Sequence, residues 1–312
     1  MRPMQPVSQG VRASRLVWGD TGTRQMIDPA PATVGPIRAE APAHSPQQGN
    51  SARRVTTRVT LLGTGDPLND ERAQASLAVH LAGGETMLLD TSSGTVLLQR
   101  LRAAGIALDS IRHVFVSHRH FDHAGGLAPL LLTLVSIPGA PLTVYAPPET
   151  LAALHEMLAL TSPGVEDWLG DRLRWQALAP GQAVAAGSAR VTPFAVDHGL
   201  ECVGFCVQQA GKTLTFSADT RPCPALVDYA AGADLLIHEA YGLQDAAAEA
   251  HRFGHATAAD AGAAARDARA HHLVLTHLRS SLYVDPGALR DEAAQAFDGP
   301  VTVAADLDVI AV

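Results

Sequence analysis

Three histidines and an aspartate fall within six consecutive positions, His118, His120, Asp122 and His123, inside the segment SHRHFDHAGG from Ser117 to Gly126. Just upstream, Ile111 to Val116 is a short β-branched run that reads as a strand. Side chains two apart in an extended chain point the same way, so His118 and His120 can converge on one ion. Asp122 and His123 follow where the chain must turn, and Gly125 and Gly126 relieve the crowding before the helical run Leu127 to Val135. This second pair can therefore face another ion nearby. Imidazole and carboxylate suit zinc, or alternatively manganese or iron, whereas calcium takes oxygen ligands almost throughout. A lone histidine is more often a surface or core residue, but four donors at H-x-H-x-D-H spacing read as a metal loop.

Such a loop needs a rigid scaffold, and the hydrophobic patterning predicts one. The 312 residues are 47% hydrophobic and 17% charged, as in a globular protein. Strand-like runs Val55 to Leu62, Ser76 to Leu81 and Thr86 to Asp90 predict an opening antiparallel meander, and Leu97 to Leu101 a helix before the strand that delivers the loop. Further strands are expected at Leu142 to Tyr145, Leu173 to Trp175, Ala189 to Val196, Glu201 to Val207, Thr213 to Ser217, Ala233 to His238, His272 to Thr276, Val301 to Ala305 and Asp308 to Val312. Helices are expected over Pro148 to Leu160, Ala256 to Ala268 and Pro286 to Phe297. Two runs of strands, each followed by helices, imply two sheets face to face with helices outside.

Residues 1–54 are rich in proline, alanine and small polar residues and predict a disordered extension to a folded domain spanning 55–312. That extension holds seven of the 23 basic residues and three of the 31 acidic ones, leaving a folded part with 16 basic against 28 acidic residues, near −12. This balance argues against stable duplex nucleic-acid binding. No apolar run approaches the roughly 18 residues that span a bilayer, and no basic-then-apolar secretory pattern opens the chain. A cytoplasmic protein with no membrane association is expected. Cys202 and Cys206, about 13 Å apart in an extended strand, are too distant for a disulfide and read, like Cys223, as structural. Helices Leu127 to Leu134 and Leu151 to Leu160 carry enough leucine for a homodimer interface, although core packing accounts for them equally well.

If the first loop begins a two-metal site, later strand ends should supply more donors. His198, Asp219 and His277 each sit just past an apolar strand, where a side chain can reach a cleft. Asp90 likewise ends a strand and can hydrogen-bond the ligand loop. In this order the motifs resemble the metallo-β-lactamase fold superfamily over roughly Val55 to Val312. The resemblance implies an α/β fold built as a four-layer αββα sandwich. It also implies one divalent ion held by His118, His120 and His198, a second held by Asp122, His123 and His277, and Asp219 bridging them, with zinc the expected metal.

The segments LIHEAY (Leu236 to Tyr241), GHATAADAG (Gly254 to Gly262) and LTHLRS (Leu275 to Ser280) are similar to the ribonuclease Z branch of that superfamily, in which a Glu and a His act together beside the metals. Those positions are Glu239 and His255 here. A carboxylate paired with imidazole raises the imidazolium population, giving a cation or proton donor for a departing alkoxide. His238 is expected in the core or behind the ligands. The expected activity is metal-dependent phosphodiester hydrolysis by a metal-bridging hydroxide, with ions about 3.5 to 4 Å apart and Asp122 orienting the nucleophile or taking its proton.

Departures from that branch bear on the substrate. The long arm that grips transfer RNA has no room between His198 and Asp219, since Gln208 to Lys212 alone joins the two strands there. The loop Gly63 to Ser76 carries Glu71 and Arg72 rather than a Lys-Arg-Asn element, and Tyr241 replaces a threonine. A small anionic ester fits better than an RNA 3′ end. An arylsulfatase, a lactonase or thioesterase, and a 3′-end transfer-RNA-processing endonuclease stand as alternatives. Glu239 and His255 argue against acyl hydrolysis, which this fold performs without such a dyad.

Overall fold

Nearly every position is buried in three early segments, which fold as β1 (Arg58–Gly63), β2 (Ser76–His80) and β3 (Thr86–Leu89), an antiparallel meander. A computed structural model describes residues 57–139, 141–280 and 284–312, together with two two-residue strands near the amino terminus. The chain divides into two units, Met1–Ala52 and Arg53–Val312. In the first, Val17–Trp18 and Arg24–Gln25 pair antiparallel, and the rest of the expected extension 1–54 lies outside the described residues.

In the second unit, β4 (Ile111–Phe115), β5 (Leu142–Ala146) and β6 (Leu173–Ala177) continue the first sheet in parallel. A late strand, β14 (Val309–Ala311), closes its other edge beside β1, so the order is β14-β1-β2-β3-β4-β5-β6. The second sheet repeats the plan. β7 (Val184–Ala186), β8 (Ala189–Ala195), β9 (Val203–Gln209) and β10 (Lys212–Phe216) run antiparallel. Then β11 (Leu235–Glu239), β12 (Leu273–Thr276) and β13 (Val301–Val303) run in parallel.

Parallel neighbours need long crossovers, and helices supply them. On the first sheet these include α1 (Val96–Ala103), α2 (Phe121–Ala124), α3 (Leu127–Val135), α4 (Pro148–Thr161) and α5 (Val165–Leu169). On the second they are α6 (Pro224–Tyr229), α7 (Ala247–Phe253), α8 (Ala258–Asp267) and α9 (Pro286–Ala296). Between the sheets lies one apolar core, in which Phe115 stacks on Tyr145 and meets Phe205 edge-on at 5.5 Å. Two outer cores seat the helices, one with Leu127, Leu130, Leu131 and Leu134 of α3, the other with Ala261 and Ala265 of α8 and Leu289 of α9. The four layers are the αββα sandwich expected from sequence. Strands β3, β4, β8, β10, β11 and β12 all end on one side, where open sheets place their sites.

Most expected elements appear with edges shifted by one or two residues, and side-chain bonds account for some shifts. The strand expected from Glu201 begins at Val203, because the Glu201 carboxylate accepts the Glu149 N–H at the start of α4 (2.7 Å). Asp234 is excluded from β11 while its carboxylate takes Lys212 Nζ (2.6 Å) and the Thr213 N–H (2.9 Å). In the second unit five of the labelled elements have no counterpart in the sequence reading: β7, α2, α5, α6 and α7. They are three to seven residues long, too short to display a period. No described helix is long and apolar enough to cross a membrane.

Candidate metal centre

β4 delivers Ser117 and His118 at its end, and the chain then turns into the four-residue α2, which carries Asp122 and His123. Thr91 N–H and hydroxyl both donate to the His123 carbonyl (2.7 and 2.8 Å), locking the loop onto the turn after β3. The approach is close enough that a Cβ on Gly126 would stand 1.9 Å from the Thr91 carbonyl oxygen, which is what glycine relieves there.

Asp90, fully buried, organises this loop. Its carboxylate accepts the Ser117 N–H (2.7 Å), the Ser117 hydroxyl (2.9 Å) and His123 Nδ1–H (2.8 Å). With its proton given to Asp90, Ser117 Oγ accepts His118 Nδ1–H at 2.9 Å. Both imidazoles are thereby held in the tautomer that leaves Nε2 with a lone pair. Asp90 itself sits at φ +60, a left-handed conformation held by those bonds.

The second sheet contributes donors one at a time. His198 follows β8, and its Nδ1–H donates to the Gly254 carbonyl (2.8 Å), again turning Nε2 inward. Gly254 has φ +86, and a Cβ there would lie 2.5 Å from the His198 carbonyl oxygen and 2.8 Å from its Nδ1. Asp219 follows β10 after Ala218 at φ +52, and His277 follows β12 at φ +54. His277 is braced from the loop after β1. Leu278 N–H donates to the Thr64 carbonyl, while its own carbonyl accepts from Asp66 N–H and Asn69 Nδ2, all within 2.9 Å.

These side chains meet around Asp219 Oδ2, which lies 3.2 Å from His123 Nε2, 3.5 Å from His277 Nε2, 3.6 Å from His198 Nε2 and 3.7 Å from His118 Nε2. His120 Nδ1 stands 3.0 and 3.1 Å from the Nε2 atoms of His118 and His198. Two donor groups result, His118, His120, His198 and Asp219 in one and Asp122, His123, Asp219 and His277 in the other, with atoms of each within 4.8 Å of one another. All seven sequence-predicted ligand residues are brought together. The chemistry of the set fits divalent ions: buried His123 Nε2, which faces Asp219, makes no hydrogen bond, and inward lone pairs packed this closely call for a cation. Burial, reinforced by the neighbouring His123, pushes the His118 pKa well down, which favours the neutral ligating form. Burial opposes charge on Asp122 and Asp219 as well, but His123 and His277 outweigh it and hold both carboxylates ionised. For His277 burial is overcome by Asp219 and Asp122, raising it to about 9.

Glu239 and His255 stand beside this cluster. His255 Nδ1 lies 3.1 Å from each Glu239 oxygen, and Glu239 Oε1 also accepts the Thr220 N–H (2.6 Å). Burial lowers the His255 pKa, Glu239 more than reverses this, and the net shift is upward. Helix capping is not its task, since Thr257 caps α8 in a reciprocal box with Asp260. His238 is buried on the far face, its Nδ1 on the Glu239 carbonyl (2.7 Å).

Several contributors are invisible in the ligand spacing. Gly254 orients His198 through its carbonyl, and Tyr241 stacks on His255 with ring centres 5.2 Å apart and planes 12° from parallel. The replacement of threonine at position 241 was the only signal of that ring. Arg72 turns inward to Thr64 Oγ1 and the Ala304 carbonyl, so it serves the loop rather than the mouth. A cleft of about 470 Å³ opens over the centre, lined by His120, Asp122, Asp219, His255 and His277 together with Asp66, Pro67, Leu68, Phe121, Tyr241 and Phe253.

Comparison with known proteins agrees with this architecture. Residues 85–278 match the model of the beta-lactamase superfamily domain. The chain is 28% identical to the ribonuclease Z of Halorubrum lacusprofundi over 83% of its own length and 98% of the relative. It is 31% identical to the ribonuclease Z of Mycobacterium sp. (strain KMS) over 80% of its length and 94% of the relative. Among solved structures, the metallo-beta-lactamase fold protein YhfI from Bacillus subtilis superposes with a TM-score of 0.70 at 24% identity, covering 81% of this chain and 99% of that one. Fold, donor clusters and relatives converge: the chain belongs to the metallo-β-lactamase fold superfamily, in its ribonuclease Z-like branch, and is a metal-dependent hydrolase.

Proposed function

We propose that the domain 55–312 hydrolyses small phosphodiesters with two zinc ions, one held by His118, His120 and His198, the other by Asp122, His123 and His277, with Asp219 shared. The observation that carries this reading is Asp219 Oδ2, placed within 3.7 Å of the inward nitrogens of both histidine groups. When bound, such ions supply Lewis acidity toward a phosphoryl oxygen and make a water acidic enough to attack at neutral pH. Asp122, at the cleft floor, orients the attacking water and accepts its proton. Glu239 binds His255 through Nδ1, and His255 lines the cleft, where as imidazolium it donates the Nε2 proton to the departing oxygen. Asp90 and Gly254 fix the ring tautomers, so that the donors need no reorganisation.

A small ester is favoured over transfer RNA because β9 and β10 are joined by the two-residue turn Ala210–Gly211, with φ +51 and +76, where the branch's RNA-gripping arm would lie. The relatives' name nevertheless makes a precursor transfer RNA a necessary comparison. Metal analysis with parallel assays on an aryl phosphodiester, an aryl sulfate, a lactone and a precursor transfer RNA tests the reading. About two zinc per chain and a clear preference for the phosphodiester are expected, and turnover of the lactone alone overturns it. His255→Ala should lower phosphodiester kcat by about 10²- to 10⁴-fold. Survival of turnover with metal content unchanged removes His255 from the mechanism.

A further inference from the structure

Seven large hydrophobic side chains are exposed among the described residues, and three of them line this one cleft: Leu68 at 79%, Phe121 at 64% and Phe253 at 50% exposure. Pro67 and the Tyr241 ring extend the same apolar margin. Scattered exposed hydrophobics need no explanation, but a group gathered above a buried charged floor marks a binding surface.

The cations nearby do not compete for that role. Arg119 Nη1 lies 2.8 Å from Glu149 Oε2, and Arg221 Nη1 lies 2.7 Å from Asp197 Oδ1. Arg279 lies over the Tyr241 ring at 4.7 Å with Glu249 Oε1 3.7 Å from its Nη1, and Arg252 covers the Phe253 ring at 4.5 Å. A track for a polyanionic strand is built from cations lined along its path, whereas each of these is engaged by a carboxylate or a ring of this chain. This mouth instead offers rings and a leucine to whatever the ester carries, in a volume suited to a ligand of mononucleotide size.

We propose that Leu68, Phe121 and Phe253 form a specificity rim that receives a flat aromatic group carried by the phosphoester, either a simple aryl group or a nucleobase, while the phosphoryl group lies on the Asp122, Asp219, His255 floor. The assignment rests on the phosphoester reading of the floor. It explains why the rim is aromatic and exposed although neither Phe121 nor Phe253 belongs to an apolar core.

The test is calorimetric titration of the zinc-loaded full chain with methyl phosphate, phenyl phosphate and adenosine 5′-monophosphate, three ligands sharing one anionic group. Phenyl phosphate and the nucleotide should bind about tenfold more tightly than methyl phosphate, as ring stacking allows. In Phe253→Ala and in Leu68→Ser, with zinc content and thermal melting as in the parent, that preference should fall below about threefold. Both variants lie outside the ligand helix α2, so neither removes a donor. A parent preference under threefold, or one retained in both variants, overturns the rim. Tighter binding of the nucleotide than of phenyl phosphate assigns the nucleobase, and the reverse order assigns an aryl group. The titration does not depend on turnover, so a chain that hydrolyses no phosphodiester yet shows the preference refutes the phosphodiesterase reading and leaves the rim standing.

Discussion

The two sheets share a plan of antiparallel then parallel strands, yet they supply the metal centre in opposite styles. The first contributes four donors from one continuous loop, in which a single buried carboxylate, Asp90, braces His123 directly and His118 through Ser117. The second contributes His198, Asp219 and His277 singly, each with its own device: a carbonyl from Gly254, a left-handed residue at Ala218, a clamp from Thr64 to Asn69. A collective support should fail as a whole, and separate supports should fail one at a time.

Asp219 belongs to both styles because it faces all four inward Nε2 atoms, so its loss should be the most severe. Asp219→Ala is expected to remove both ions and to lower kcat/KM by more than about 10³-fold, read by metal analysis alongside turnover. Retention of two ions would show that the donor groups are independent.

Asp90→Ala comes next and tests the collective brace. It strips partners from Ser117 and His123 together, and it should weaken binding of both ions by about 10- to 100-fold while lowering stability by about 3 kcal/mol. Competition with a chelator and thermal melting measure the two effects. If only one ion is lost, Asp90 supports His123 alone and the contrast between the sheets narrows.

Gly254→Ala probes a single support. Its Cβ would collide with His198, so the ion held by His198 should leave while the other stays, giving close to one zinc per chain and a fall in kcat/KM of about 10²-fold. Equal loss of both would break the idea of separate supports.

The smallest effect lies away from the metals, at the α8 cap. Thr257→Ala should cost about 1 kcal/mol with metal content intact. Burial works against charge on Asp260, yet bonds from Thr257 and His251 outweigh it and depress its pKa. A depressed carboxylate contributes stability that is fully present above its ordinary pKa and is lost as the pH falls through the folded value. The stability difference between Thr257→Ala and the parent should therefore shrink below about pH 4. A constant difference down to pH 2 would disconnect the cap from that titration.

How much of this was legible in the sequence follows the same division. Donors contiguous in the chain announce themselves by spacing, and His198, Asp219 and His277 by their positions after apolar runs. Asp90 could be anticipated because it ends a strand beside the loop. What supports the second sheet's donors could not: the Gly254 carbonyl is a backbone group 56 positions from His198, and the Leu278 brace spans 209 positions to Asn69. Neither leaves a local pattern. The rim was hidden for a similar reason, since Leu68, Phe121 and Phe253 lie in three unrelated segments that only the fold gathers.

The pairing of β14 with β1 gives the molecule a timetable. Asp306 accepts the Thr64 N–H and hydroxyl across 242 positions and also takes the Ala73 N–H, while Arg72 reaches the Ala304 carbonyl. The Thr64 to Asn69 segment that clamps His277 is itself seated by residues 304–306. On the ribosome, all seven donors are synthesised before that seat exists, so the nascent chain carries a complete ligand inventory in an unfinished socket. Contacts this distant in sequence form late. Completion of the clamp on His277 is thus coupled to the closing of a sheet edge by the last described strand of the chain.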